Sequence, residues 1–274
     1  MTSSPTPQVL CLGDVHGNAS SLAAALERAG ADPATGRLPA GLSVVQVGDL
    51  LHRGDDVEAV VALVDRFLQR HPDRWVQLAG NHELRLFGDQ HLDHLPPPSA
   101  TATATVRRWA DDGRLHLAAA VTTDTRRWLV THAGLTPPLW SGTLSGEADP
   151  AAAAAHLNAL WQAASPTVRA AGIGVGRSGV VAGPLWADTV VELVVAWHRH
   201  GRAPFGQLHG HGSPWDAARG GRRPWVPADV AVEHVCPHID GVRVTAGGQP
   251  LWSLDGGGHR PVAAVTLPGR LTCP

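Results

Sequence analysis

The segment Gln8-Val9-Leu10-Cys11-Leu12-Gly13-Asp14-Val15-His16-Gly17-Asn18 passes from an apolar run to a polar turn within two residues. The apolar part of Gln8–Leu12 reads as a buried strand, and Gly13-Asp14 stops it. Residues 18–29 follow with Leu22, Ala25, Leu26 and Ala29 at helical spacing, and Gly30 closes that helix. The same junction comes twice more. Residues 43–47 read as a strand stopped at Gly48-Asp49. Val57–Arg70 reads as a helix with Val60, Val61, Leu63, Val64, Phe67 and Leu68 on its apolar side and Pro72 beyond it. Residues 75–79 form a third strand, stopped at Gly80-Asn81. Three strands with helices between them predict a mainly parallel sheet covered by helices.

Beyond Pro96-Pro97-Pro98 the pattern loosens. Residues 105–112 read as a short helix, 115–120 and Arg127–Thr131 as two strands joined by a polar turn, and the Ala-rich 151–164 as a helix. Residues 172–183 are loop-like. Residues 205–209 form a strand entering Gly210-His211. The remainder reads as short strands at 231–235, 241–245, 251–254 and 262–267, separated by Gly-rich turns. There is no internal repeat and no clear linker, so one domain is expected over residues 8–267. A disordered 1–7 and a tail at 268–274 would flank it. Parallel units first and antiparallel strands last predict a mixed sheet, or two sheets packed face to face.

Composition narrows the partners. The chain has 274 residues and a formal charge of -2, and its longest basic stretch is Arg219-Gly220-Gly221-Arg222-Arg223. That is too short for a nucleic-acid arm and reads as a basic surface loop. Cys11, Cys236 and Cys273 have no CxxC spacing, which excludes a disulfide framework or a thiolate zinc site. No run reaches about 18 apolar residues, and no basic-then-apolar leader opens the chain. A soluble, cytoplasmic protein with no membrane and no nucleic-acid partner is expected; nothing addresses oligomeric state. Histidine is the outlying count, at 16. His71, His91, His94, His198 and His200 read as surface residues.

Five motifs carry chemistry: Gly13-Asp14-Val15-His16-Gly17-Asn18, Gly48-Asp49-Leu50-Leu51-His52-Arg53-Gly54, Gly80-Asn81-His82-Glu83, His132-Ala133-Gly134-Leu135 and Gly210-His211. Asp14, Asp49, Asn81, His132 and His211 each lie one or two residues past a predicted strand end, where open α/β sheets bind ligands. Any one of them alone is most simply a cap or turn residue. Five together predict a metal site. Imidazole and oxygen donors without thiolate select Mn, Fe or Zn over calcium. Asp49, central in order, is the candidate bridge between two divalent ions. Asp14 and His16 would complete one ion, and Asn81, His132 and His211 the other. Such a pair activates a water and clamps a phosphoryl group.

This ordered set resembles the calcineurin-like metallophosphoesterase superfamily, whose blocks read GDxHG, GDxVDRG, GNHE, HGG and GH. It comes closest to the bacterial phosphoprotein (Ser/Thr) phosphatases of the Shewanella-like type, which Gly183-Pro184-Leu185-Trp186 also resembles. The likeness spans roughly residues 8–267 and includes Leu254-Asp255-Gly256-Gly257. It implies a four-layer α/β/β/α sandwich of mixed sheets flanked by helices, two divalent metals, and direct attack of a metal-bridging hydroxide on a phosphomonoester. The substrate would be a phosphorylated protein or a small phosphoester. A diadenosine tetraphosphate hydrolase shares the five blocks, and a weakly active phospho-ligand-binding regulator is the rival from another class. The resemblance makes His82 the general acid and Arg53 a phosphate contact. It nominates Arg177, against a plain loop arginine, as the second. Substrate choice would lie in loops 87–105, 136–149 and 212–225.

One position departs from the family. His52 stands where the family carries an Asp paired with the histidine of the GNHE block. A neutral imidazole brings no negative charge, so His82 should be a stronger acid than an Asp-paired one. Asp55 or Asp56 would be the substitute partners. His209 has the i, i+2 spacing of a second metal histidine, but it is read here as a core or supporting residue. Glu83 is read as a hydrogen-bonding support for its turn, and the tryptophans mainly as core.

Overall fold

The computed structural model describes residues 5–234, 241–255 and 261–272. Val235, Cys236, Gly256, Gly257 and Cys273 lie outside them. The strands are β1 (Gln8–Leu12), β2 (Leu42–Gln46), β3 (Trp75–Leu78), β4 (Leu115–His116), β5 (Ala118–Thr122), β6 (Arg127–Thr131), β7 (Gly206–His209), β8 (Trp215–Asp216), β9 (Gly221–Arg222), β10 (Val232–His234), β11 (Val242–Ala246), β12 (Gln249–Ser253), β13 (Ala264–Pro268) and β14 (Arg270–Thr272). The α-helices are α1 (Ala19–Arg28), α2 (Val57–Arg70), α3 (Asn81–Leu84), α4 (Ala100–Asp111), α5 (Pro137–Gly142), α6 (Pro150–Gln162), α7 (Pro166–Arg169) and α8 (Ala196–His200). A π-helical stretch, Thr189–Val195, leads into α8.

Two sheets face each other. The first has the order β13-β1-β2-β3-β4, and the second β10-β11-β12-β7-β6-β5-β14. Strands β1 to β4 run parallel, with β13 antiparallel at the edge. In the second sheet β12, β7 and β6 are parallel, and antiparallel strands flank them. Side chains alternate across the pleat. Val9, Cys11, Val45, Val76 and Leu78 meet Ala119, Val121, Trp128, Val130 and Leu208 between the sheets. Leu10, Leu12 and Val44 face the other way, onto Leu22 and Leu26 of α1 and Val60 and Val64 of α2. On the far face of the second sheet, Val244 and Leu251 pack against Leu193, Val194 and Trp197. The expected four-layer α/β/β/α sandwich is the fold. Apolar surroundings push the Cys11 thiol up to about 12, which makes it an inert packing residue.

Three expectations need correction. The strand predicted over residues 115–120 is two strands in different sheets, β4 in the first and β5 in the second. Leu117 is the crossing point, and α6 holds it. Asn158 Oδ1 accepts the Leu117 and Ala118 N–H groups at 2.7 and 3.1 Å, and its Nδ2 donates to the Ala118 carbonyl at 2.9 Å. The helix expected at 105–112 begins at Ala100, because the Ser99 hydroxyl caps it by accepting Ala102 N–H at 3.1 Å. The ordered chain also outruns 8–267. Gly269 N–H donates to the Pro7 carbonyl at 3.0 Å, and β14 pairs with β5 as the edge of the second sheet.

Replacing Asn158 by Leu strands two buried N–H groups and one carbonyl at the crossing. The expected loss is about 3 kcal/mol of stability, read as a lowered urea midpoint at unchanged slope.

Candidate metal centre

All five motif turns meet beyond the carboxyl ends of β1, β2, β3, β6 and β7. The crowding there explains the glycine before the ligand-type residue in four of the motifs. A Cβ on Gly80 would lie 2.1 Å from Asp49 Oδ1, and one on Gly210 would lie 1.9 Å from Asp14 Oδ1. Backbone strain collects in the same place. His16, Asp49, His52, Arg53 and His211 all have positive φ, between 47° and 67°, a region most side chains avoid.

Two donor groups share one carboxylate. His16, Asp49 and His82 form one, and Asp49, His132 and His211 the other, with each group's ligand atoms within 4.8 Å of one another. Asp14 is just outside the first, its Oδ2 being 3.8 Å from His16 Nε2. His16 Nε2 lies 3.7 Å from Asp49 Oδ2, and His132 Nε2 lies 3.4 Å from Asp49 Oδ1. The outer ring nitrogens are engaged by backbone carbonyls: His132 Nδ1 with Val47 at 3.0 Å and His16 Nδ1 with Leu51 at 3.3 Å. Donating there leaves each Nε2 a bare lone pair aimed inward, the tautomer a metal needs. Asp14 accepts the His211 N–H at 2.9 Å, which ties the first motif to the last.

These residues fit divalent cations. The Asn81 amide oxygen faces His132 Nε2 at 2.9 Å and His211 Nδ1 at 3.0 Å. Turned over, the amide donates to both nitrogens and to the Asp49 carboxylate at 3.2 Å. Buried oxygen and imidazole donors without thiolate are a set that divalent first-row ions accept. The electrostatics agree. Burial, with Asp255 and Asp49 nearby, pushes the Asp14 carboxyl well above the usual carboxylate range. Burial also opposes ionisation of Asp49, but His132, His82, His16 and His211 around it win and hold it low. Burial lowers His16 to about 4 and His211 to about 3, so both imidazoles are neutral donors.

Buried side chains hold the turns in place. Glu83 Oε2 accepts the N–H groups of Asp49 and Gly80 at 2.8 and 2.7 Å, and Oε1 those of Leu50 and Leu51 at 2.9 and 3.2 Å. Gln46 accepts Gly48 N–H at 2.9 Å and donates to the Gly13 and Gly48 carbonyls at 3.0 and 2.8 Å. Gln207 accepts Leu135 N–H at 2.7 Å. The two glutamines escaped the sequence reading. Their signal was an amide inside an otherwise apolar strand.

His82 is buried, with Nε2 3.9 Å from Asp49 Oδ2 and Nδ1 2.9 Å from His52 Nδ1. Position 52 therefore does touch His82. Burial lowers His52 to about 4 and lowers His82 as well. Asp56 is not a substitute partner, since its carboxylate caps α2 by accepting Ala59 N–H at 3.0 Å. Arg53 is exposed at the rim and lines a cleft of about 520 Å³ with Gly17, Asn18 and Ser20. Its charge reaches inward and lowers His16 and His82. Arg177 is exposed on the 172–183 loop, and among the described residues no bond or ion pair ties its side chain to the centre. His209 is buried outside both groups, its Nδ1 2.9 Å from the Gly210 carbonyl. His71, expected at the surface, instead accepts Leu38 N–H at 3.1 Å.

The family model for calcineurin-like phosphoesterases matches residues 7–238. The chain belongs to that family. It is thus a metal-dependent phosphoesterase, of a family that typically holds two divalent ions. Its fold resembles crystal structures of a cold-active protein tyrosine phosphatase. A point mutant aligns over 96% of this chain and 76% of its own at 19% identity and TM-score 0.54. A second structure aligns over 96% and 74% at 18% identity and TM-score 0.54. A provisionally assigned diadenosine tetraphosphatase aligns over 97% and 92% at 17% identity and TM-score 0.42. For the two tyrosine phosphatase structures the likeness is one of fold. Among the described residues no helix is long and apolar enough to cross a membrane.

Glu83→Gln tests the loop anchor. The amide keeps one oxygen and turns an NH2 group toward backbone N–H donors. We expect a loss of about 2–4 kcal/mol and a fall in bound metal per chain, by calorimetry and elemental analysis.

Proposed function

We propose that this chain hydrolyses phosphomonoesters on proteins, using two divalent ions with manganese as the working metal. The observation that carries the reading is the shared position of Asp49 in both donor groups. On this reading Asp14, His16 and Asp49 hold one ion, and Asp49, Asn81, His132 and His211 the other. Ions bound there supply an activated water and offset charge on the phosphoryl oxygens. Arg53 orients the phosphate, its planar fork matching two oxygens. His82 holds a proton at Nε2, toward the centre, for the departing oxygen. His52 orients His82 through the Nδ1 contact and excludes water behind it. Arg177 is a second phosphate contact only if its loop folds inward.

The test is turnover by purified protein with manganese on p-nitrophenyl phosphate, phosphoserine peptide, phosphotyrosine peptide and diadenosine tetraphosphate. Chelator should abolish activity, and elemental analysis should find two ions per chain. Dominant hydrolysis of the dinucleotide would overturn the phosphoprotein reading. Bound metal without turnover of any substrate would favour a regulator.

His82→Asn should cut turnover of phosphoserine peptide by about 10²–10⁴-fold at unchanged metal content. The loss should be smaller on p-nitrophenyl phosphate, whose leaving group needs little protonation. Because the pKa of His82 is lowered, its protonated fraction falls early as pH rises. The alkaline limb of kcat/KM should therefore lie low. His52→Asp places a carboxylate at Nδ1, raises the pKa of His82 and should move that limb up by about one unit, worth about 1.4 kcal/mol. Coincident limbs would remove His52 from the proton chemistry.

A further inference from the structure

The segment that leaves the last metal-type ligand carries an unusual surface. From His211 the chain runs through Pro214 into the β8–β9 hairpin and on to Trp225. Its root is fixed at several points. Gly212 N–H donates to the Gly210 carbonyl at 2.7 Å, the Ser253 hydroxyl donates to the Gly212 carbonyl, and Trp215 stacks edge-on against His234 at 4.5 Å. Its far end is fixed as well, because Val226 and Val230 sink into the cluster around Trp197 and Val244. Between these anchors Trp225 is 80% exposed, far above any other large apolar side chain among the described residues. Its φ is 75°, a strained conformation for an aromatic residue. A rigidly held turn that thrusts an indole into solvent is not a frayed loop.

The charge beside it is one-sided. Residues 219–225 contain Arg219, Arg222 and Arg223 and no acidic residue. Arg222 is spent on the Pro227 and Ala228 carbonyls at 3.0 and 3.1 Å. Arg219 and Arg223 are exposed. Among the described residues the Arg223 guanidinium has no partner, and Arg219 has only Asp216 at 3.6 Å. The nearby acids are engaged: Asp216 accepts the Ala218 and Arg219 N–H groups, Asp229 lies 3.3 Å from His198, and Glu233 pairs with Arg243.

We propose that this lip binds acidic residues flanking the phosphorylated residue of a protein substrate. Arg219 and Arg223 meet the carboxylates, and Trp225 packs on the peptide. The proposal rests on the phosphoprotein reading above. Chain geometry sets its reach. Arg223 N–H donates to the Pro214 carbonyl at 2.9 Å, and three residues from His211 to Pro214 span at most about 11 Å. An extended peptide advances about 3.3 Å per residue. The lip therefore lies over positions within about five residues of the phosphorylated one.

The experiment measures kcat/KM of the manganese-loaded full chain on phosphoserine peptides with Asp, Ala or Lys at those positions. Wild type should prefer the acidic peptide over the Ala peptide by about tenfold at low salt. At molar salt, where screening acts within about 3 Å, the ratio should approach one. Arg223→Glu should bring the ratio to one or below at low salt and raise turnover of the Lys peptide. Trp225→Gly suits the positive φ, so it should fold, and it should raise KM for acidic and Ala peptides alike. Equal wild-type rates on acidic and Ala peptides would overturn the lip and leave the phosphoprotein reading standing. An acidic preference that survives Arg223→Glu would do the same. Failure on every peptide, with diadenosine tetraphosphate hydrolysed, would overturn both.

Discussion

The centre depends on one carboxylate that stands outside both donor groups. Glu83 is fully buried and accepts four backbone N–H groups, from Gly80, Asp49, Leu50 and Leu51. No solvent is there to replace it. Its two oxygens fix the turn after β2 against the turn after β3, so Asp49 and Asn81 face a common point although separate strands deliver them. The same grip sustains the positive φ of Asp49. Gln46 extends the restraint to the turn after β1, and Gln207 to the loop after β6. Charge-assisted bonds to backbone are strong and directional, which suits groups that must hold several histidines and two carboxyls in close quarters.

The parallel strands explain why the candidate ligands gather at one edge. Each strand runs toward the same edge, so a short apolar run followed by Gly and a polar residue marks the site directly. Gly13-Asp14, Gly48-Asp49, Gly80-Asn81 and Gly210-His211 advertise that edge. The glycine is also forced, since a Cβ at Gly80 or Gly210 would strike the neighbouring carboxylate. Sequence, local turn and convergence are here one signal.

Other features left no local trace. The move from the first sheet to the second at Leu117 happens inside one apolar run, and Asn158, some 40 residues on, holds it. The helices α5 and α8 and the π-helical Thr189–Val195 lie in stretches rich in Pro, Gly and β-branched residues, where tertiary packing outweighs weak propensity. His52 was visible as a departure, but its contact with His82 is set by two left-handed residues in succession, His52 and Arg53. Asp56 has the right charge two residues past Gly54, but its carboxylate is taken up as the cap of α2. Arg177 has the right charge and, among the described residues, no tie to the centre.

One bond bears on how the molecule comes to be. The His211 N–H meets the Asp14 carboxylate across 197 positions of chain. Contacts of such separation form late, after the loop between them has been closed at an entropic cost. During synthesis, β1 to β3 and their helices can gather as soon as they emerge. Asp14 then waits for the remainder of the polypeptide, and its buried carboxyl lacks the backbone donor until β7 has docked. A chain truncated before residue 211 would keep five of the six metal-type ligands and still expose an unfinished, acid-lined edge. The candidate site therefore cannot close until β7 has docked.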